Sequence, residues 1–264
     1  MQVPFDLLAE NYDVDFTESA IGRMQRTQVI KYLDSMEFNN PDAKILEINC
    51  GTGTDALYFS KRGLNITATD ISGKMIEIAQ KKAEMGQQNI RILQCNLLDI
   101  GSVFKNEEFD LIFSNFGGLN CISSIDYQLF AQAIHHLLKP GGHLIGVLMP
   151  RFCLWDSLYF FVKLKFRTGI RRWTVKETLI TFNEESFPVW YYNPGQFSGF
   201  FNNNLTIRSI KPIGLFIPPS YLNGFFSRHP RLLKVLGKIE SKIENYSLLS
   251  AYADHYLIHL IKAG

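Results

Sequence analysis

From residue 43 to residue 149 short apolar runs alternate with segments of helical periodicity. Residues 43–48 (AKILEI) read as a buried strand, followed by a glycine turn and a helix over 54–62. Residues 65–69 (NITAT) read as a second strand ended by Asp70. Ser72 is placed to cap a helix over 74–85. Residues 89–94 and 109–114 predict a third and a fourth strand, and 127–138 a helix. Lys139–Gly142 (KPGG) reads as a stop and turn before a fifth strand over 143–149. Strands and helices in this rhythm build βαβ units, and hence a mostly parallel sheet that takes ligands at the carboxyl ends of its strands.

After residue 149 the rhythm changes. Residues 153–165 predict an amphipathic helix, and 173–182 with 187–192 a β-hairpin rich in aromatic and β-branched side chains. A turn at 193–195 leads to a short helix over 196–201 and a strand over 205–212. Residues 221–250 read as mostly helical with Pro230 inside, and 255–261 as the last strand. The expected architecture is α/β and Rossmann-like. Its seven-stranded, mostly parallel sheet carries helices on both faces, with an α+β cap inserted after the fifth strand. The expected units are a helical leader (1–42), a core (43–150), the cap (151–204) and the last two strands with a helical insert (205–264).

The chemistry-bearing stretch is ILEINCGTGTDA, residues 45–56. Gly51 and Gly53 let the backbone turn tightly and approach a ligand, and the helix that follows presents unpaired N–H groups. Asp70, nineteen positions after Gly51, is an acid at the end of the second strand, where it can accept hydrogen bonds from ribose hydroxyls. Gly51, Gly53 and Ala56 also fit a dinucleotide fingerprint, so an NAD-dependent oxidoreductase is one alternative. Glu47 at the strand end opposes it, because its charge would repel a pyrophosphate.

Taken with their neighbours, these residues resemble the class I S-adenosylmethionine-dependent methyltransferases. ILEINCGTGTD is similar to that family's first motif and ITATDISGKMIEIAQKK to its second. ILQCNLLDI, FDLIFSNFGGLN and LLKPGGHLIGVL are similar to the third, fourth and fifth. The resemblance implies an enzyme that uses S-adenosylmethionine and releases S-adenosylhomocysteine. It implies Glu47, Asn49, Gly51 and Gly53 around the cofactor, Asp70 on the ribose, and Ile71 and Met75 by the adenine. Asn96 and Leu97 follow from the third motif, and Ser114, Asn115 and Phe116 from the fourth. Two positions depart from the pattern: Asn49 stands where the family has a glycine, and Asn96 where it has an aspartate. A cofactor-binding protein without transfer activity is the alternative they leave open. The leader segment ENYDVDFTESAIGRMQR implies Tyr12 beside the sulfonium and Arg26 on the methionine carboxylate. Tyr12 as a packing aromatic and Arg26 as a solvated helix charge are the competing readings.

Catalytic residues are not announced by this chemistry, since aligning nucleophile, methyl and sulfur is most of the work. Tyr12, Asn115 and Arg151 are the candidates. His135 and His136 precede KPGG on a helix directed away from the ligand edge. No CxxC pair or metal-ligand spacing occurs among Cys50, Cys95, Cys121 and Cys153, so no metal is expected.

Composition adds the acceptor. Aromatic residues make up 13% of the chain (21 Phe, 11 Tyr and 3 Trp), more than a core of this size needs. Phe152, Trp155, Tyr191, Tyr192, Phe216 and Tyr221 are the expected acceptor pocket, with Tyr159, Trp190 and Phe197 as further candidates. Such a cap suits an apolar or aromatic small molecule, carrier-bound or free, with a lipid or quinone as the alternative. The formal net charge of +2 conceals a cancellation. Residues 1–150 hold 12 basic and 18 acidic side chains, whereas 151–242 hold 14 and 5. The basic runs KLKFRTGIRR (163–172) and RHPRLLKVLGK (228–238) point to an acidic partner, either an acyl-carrier protein or an anionic membrane surface, or else to a solvated face. Nucleic acid is disfavoured, because SNFG stands where base-modifying relatives carry Asn/Asp-Pro-Pro-Tyr/Phe. The first residues lack a secretory signal, and no apolar run reaches the length of a membrane span, so a cytoplasmic location is expected.

Overall fold

The computed structural model describes every residue except 1–4, 37, 39, 41, 183, 184, 202 and 203. Seven strands form one sheet: β1 (Lys44–Ile48), β2 (Asn65–Asp70), β3 (Arg91–Gln94), β4 (Phe109–Ser114) and β5 (Leu138–Leu148) run parallel. A separate hairpin, β6 (Thr178–Phe182) with β7 (Glu185–Val189), interrupts the chain before β8 (Leu205–Ile213) and β9 (His255–Lys262) rejoin the sheet. The order is β3-β2-β1-β4-β5-β9-β8, with β9 antiparallel to both of its neighbours. The expected Rossmann-like sheet is therefore present. Its strand order reverses between β1 and β4, which opens a crevice beyond their carboxyl ends.

The central strands are apolar on both sides because both faces are covered. Ile45, Leu111, Phe113, Ile145 and Leu257 pack against helices Ala20–Asp34 and Thr54–Lys61 on one face. Leu46, Ile112, Leu144 and Ile258 pack on the other against helix Tyr127–Leu137 and the aromatic cluster Tyr127, Phe130, Phe197 and Phe201. Ser72 caps helix Gly73–Met85 as expected, its hydroxyl accepting from Met75 N at 3.2 Å.

Several boundaries differ from the sequence reading. The hairpin expected over 173–182 and 187–192 pairs Thr178–Phe182 with Glu185–Val189, and three other differences have a local cause. KPGG does not precede β5 but lies within it, as an irregularity where the register with β4 shifts and Gly141 takes φ +74°. The helix expected over 153–165 stops at Val162 and resumes as the short helix Phe166–Gly169. Pro230 opens the helix Pro230–Ile243 rather than interrupting one, since its missing N–H costs nothing in a first turn.

The cap is bolted to the core by buried polar groups. The Asn120 amide donates to Met149 O at 3.1 Å and Trp190 O at 2.6 Å, and its oxygen accepts from Met149 N at 2.8 Å. Arg172, from the basic run expected at the surface, is buried. It donates to Asp156 at 2.9 Å and to Asp254 at 2.8 Å, tying cap to β9. Arg171 also pairs with Asp156, at 2.8 Å. So part of the cap's positive charge is spent inside the fold.

Candidate active site

Three residues of the turn after β1 are left-handed: Asn49 (φ +57°), Gly51 (φ +52°) and Gly53 (φ +75°). At Gly53 the loop crosses the helix Gly73–Met85 so closely that an added Cβ would lie 2.8 Å from that of Ala79. Asn49 tolerates the left-handed angle better than most residues. Its amide donates to Ser114 Oγ at 3.2 Å, and its side chain fills the space a Cβ on Gly118 would need. The departure from glycine at 49 is thus matched by Gly118 and Ser114 across the sheet.

Asp70, 8% exposed, accepts from Gly51 N and from Ser72 N, each at 2.9 Å. Burial pushes its pKa up against the pull of these amides. Two donors leave part of its acceptor capacity open toward the crevice.

The leader closes over this turn. Asp13 accepts from Thr52 Oγ1 at 2.7 Å and pairs with Lys82 at 2.5 Å, while Asp6 accepts from Ser72 Oγ at 2.5 Å. Tyr12 stands over Gly51, and burial pushes its phenol up to about 12, so it stays protonated near neutral pH. Arg26 forms an ion pair with Asp55 and lies over the Phe116 ring at 5.1 Å. Asp55 also accepts from Asn115 Nδ2 at 2.9 Å. Tyr12, Arg26, Glu47, Asp55 and Asn115 surround a small recess. Among the described residues, its buried atoms Arg26 Nε, Glu47 Oε2 and Asp55 Oδ1 have no hydrogen-bond partner, and Arg26 Nη1 is held by the ion pair with Asp55. Burial, reinforced by Asp55, holds the Glu47 carboxyl well above the usual carboxylate range.

From Tyr12, Asn49 and Gly51 a cavity of about 520 Å³ runs past Asp70, Ile71, Met75, Asn96 and Leu97, then under the cap. Its far side is formed by Cys121, Ile122, Met149, Ile180, Phe187, Val189 and Tyr191, with Asp126, Arg171 and Arg172 as charged members. Phe5 of the leader meets Phe187 of the hairpin, ring centroids 4.8 Å apart, so leader and cap touch across the cavity. Hollows of about 650 and 630 Å³ lie elsewhere, beside Arg23 and Lys234 and beside His143 and His259, and neither meets the glycine turn.

The structure brings together Tyr12, Arg26, Glu47, Asn49, Gly51, Asp70, Ile71, Met75, Asn96, Leu97, Asn115 and Phe116 along the cavity and its recess. Gly53 stands behind the turn, and Ser114 is buried beneath Asn49. Asn96 is exposed, and its oxygen already accepts from Leu98 N at 3.0 Å.

Of the six expected acceptor-pocket aromatics only Tyr191 lines the cavity. Phe152 packs on Trp173 and Tyr252, and Trp155 on Phe226. Tyr192 is core, its hydroxyl donating to Ile122 O at 2.8 Å. Phe216 sits in a loop held by Glu240, and Tyr221 donates to Asp156 at 2.8 Å. Arg151 braces the cap instead of facing the cavity: its backbone N donates to Asn193 Oδ1 at 3.1 Å and its guanidinium to Trp173 O at 3.2 Å. The sequence reading missed Asp55, Ile180, Phe187 and Val189. An acid in the first turn after the glycines was the available signal for Asp55, and the hairpin's inward-facing alternate positions were that for the others.

The family model described as a methyltransferase domain matches residues 45–142. The ubiquinone/menaquinone biosynthesis C-methyltransferase UbiE of Geotalea daltonii is 31% identical over 179 residues, 62% of this chain and 70% of that protein. A malonyl-acyl-carrier-protein O-methyltransferase of Priestia megaterium is 34% identical over 145 residues, 53% of this chain and 48% of that protein. The crystal structure titled a putative S-adenosylmethionine dependent methyltransferase from Listeria monocytogenes superposes with a TM-score of 0.61 at 15% identity, covering 90% of this chain and all of that one.

Proposed function

The chain belongs to the class I S-adenosylmethionine-dependent methyltransferases, and on that premise we propose that it methylates an apolar, ring-bearing small molecule. One observation carries this reading: the cavity that starts at the glycine turn continues, without a break, between the apolar walls of the cap. A volume of about 520 Å³ with few charged lining groups suits a largely buried apolar ligand.

The residues fit the cofactor. Arg26 Nε and Glu47 Oε2, buried and unpartnered, suit the carboxylate and ammonium of an amino-acid group. Asp70 has acceptor capacity left for ribose hydroxyls, and Ile71, Met75 and Leu97 give the adenine an apolar slot. When bound, S-adenosylmethionine supplies a methyl on a positively charged sulfur, transferred as the acceptor loses a proton. Tyr12, neutral near physiological pH, offers that positive centre its ring and oxygen. Asn115, held by Asp55, fixes the wall where cofactor and acceptor meet. The leader and hairpin, joined at Phe5 and Phe187, keep water out. Cys121 does not serve as the base, since burial pushes its thiol up to about 12. Asp126 is the carboxylate among the described far-side residues that can take the proton.

A carrier-tethered acid is the second reading, favoured by Arg171 at the cavity wall, whose buried Nε has no hydrogen-bond partner among the described residues. Methyl-labelled S-adenosylmethionine offered with a prenylated hydroquinone and with a malonyl-loaded carrier protein separates the two. Label in the hydroquinone is expected. Label in the carrier-bound acid alone would overturn the apolar-acceptor reading. Calorimetry should show binding of S-adenosylhomocysteine and none of NADH.

A further inference from the structure

The cap turns apolar side chains outward. On the helix Leu154–Val162, Leu154, Leu158 and Val162 are spaced four apart and are all exposed, Val162 at 84%. Leu164, Phe166 and Val175 continue the exposed set. Single exposed apolar residues need no explanation, but a contiguous group marks a contact surface.

Leu164 gives the strongest sign that this exposure is kept for a purpose. The helix ends in a Schellman motif, with Lys165 N donating to Phe160 O at 2.8 Å and Leu164 N to Phe161 O at 3.0 Å. The residue at the turn, Leu164, takes φ +56°, where glycine is favoured. The chain places a leucine there, and its side chain is 77% exposed. Neither local conformation nor core packing rewards that choice.

The charges within the segment are of one sign, with Glu177 the first exposed acid after it. Lys163, Lys165, Arg167 and Lys176 are exposed among these apolar positions, and no acid occurs between residues 157 and 176. Asp156, at the helix start, is buried and already taken up by Arg171 and Arg172. Apolar side chains interleaved with lysine and arginine match an anionic lipid surface, which takes the first into the acyl boundary and the second among its headgroups. A second copy of the chain would set cation against cation across a two-fold interface. An acidic carrier protein would match the charges but leave the apolar row uncovered. The segment runs directly into Arg171 and Arg172 on the cavity wall and then into β6 and β7, which roof the cavity.

We propose that residues 154–176 form a docking face for anionic membranes, which brings a lipid-borne acceptor to the cavity. This deepens the apolar-acceptor reading and rests on it. The test is co-flotation of the full chain with vesicles of phosphatidylcholine alone or mixed with phosphatidylglycerol. The wild type should float with the mixed vesicles. L164S/F166S and K163E/K165E should each bind at least about tenfold more weakly. Both pairs are exposed, and unchanged S-adenosylhomocysteine binding will show that the variants fold. Leu164→Gly relieves the left-handed turn, so it should raise the melting temperature while weakening vesicle binding. Methyl transfer to a detergent-dispersed hydroquinone should be equal in all of them. Loss of that activity from the wild type would count against the acceptor reading, not the docking face. No flotation of the wild type with anionic vesicles, or equal flotation of the variants, would overturn the docking face. So would a dimer, or a carrier-protein complex, that the same substitutions abolish in the absence of vesicle binding.

Discussion

Among the described residues, two buried carboxylates accept from backbone amides, one at the end of β2 and one on the helix Pro230–Ile243. Glu240, on the helix Pro230–Ile243, accepts from Gly214 N (2.9 Å), Leu215 N (3.1 Å), Phe216 N (2.6 Å) and Ile217 N (3.0 Å). Asp70 accepts from two amides and opens on the cavity. Both look like the same device, an acid organising a loop at a strand end. The difference is saturation. Two carboxylate oxygens offer about four acceptor sites. Glu240 fills them with its own chain and is left with nothing to give a ligand, whereas Asp70 keeps capacity in reserve. A buried acid reads as functional where its hydrogen bonding is incomplete and as structural where it is complete.

The largest effect expected from this contrast is at Glu240. Glu240→Ala would strand four amides in a buried loop, with a cost of about 4 kcal/mol of folding stability. Denaturant unfolding measures it. The affinity for S-adenosylhomocysteine of the molecules that remain folded should be unchanged. A stability loss near zero would show that the loop finds other partners. Asp70→Ala should invert the pattern: binding of S-adenosylhomocysteine by calorimetry should weaken by roughly 1.5–3 kcal/mol, while stability falls by less, since Asp70 holds fewer amides than Glu240, Gly51 N and Ser72 N foremost. Equal losses in both quantities would erase the distinction between the two acids.

The sequence was most legible where local rules and the global fold agree. The parallel strands announce themselves because they are apolar on both faces, and the glycine turn because its backbone angles restrict the residue types. Asp70 was legible because it ends β2, nineteen positions after Gly51. Glu240 was not, because its partners lie more than twenty residues away across a loop without periodicity. In a run rich in lysine it reads as one solvated charge. The same limit applies to the cap aromatics. Tyr191 and Tyr192 are adjacent, yet one lines the cavity and the other donates to Ile122 O. Aromatic density signalled a cap, but only side-chain direction separates a pocket wall from a core. Arg172 shows the converse, a cation from a surface-like run buried between Asp156 and Asp254.

Glu47 extends the comparison to its limit and gives the smallest predicted effect. It is a buried carboxylate whose Oε2 has no hydrogen-bond partner among the described residues. Burial, with Asp55 adding to it, holds its pKa well above the usual range, so in the ligand-free protein it retains its proton into pH values where an ordinary glutamate has lost it. An ammonium group in the recess would favour the ionised form, so binding should release a proton. Affinity for S-adenosylhomocysteine should then rise with pH, by at most about 1.4 kcal/mol per unit, and level off once the pH passes the ligand-free pKa of Glu47. Glu47→Gln removes the titration: the rise should flatten, and affinity at neutral pH should fall by about 1 kcal/mol. Calorimetry in two buffers of different ionisation enthalpy counts the proton directly. Stability should move the other way. A carboxyl whose folded pKa is raised costs stability as pH climbs through that value, so the ligand-free Gln variant should gain on the wild type over that range. A variant that kept both the proton release and the pH slope would locate them in another group, and Glu47 would then join Glu240 among the acids that serve the fold alone.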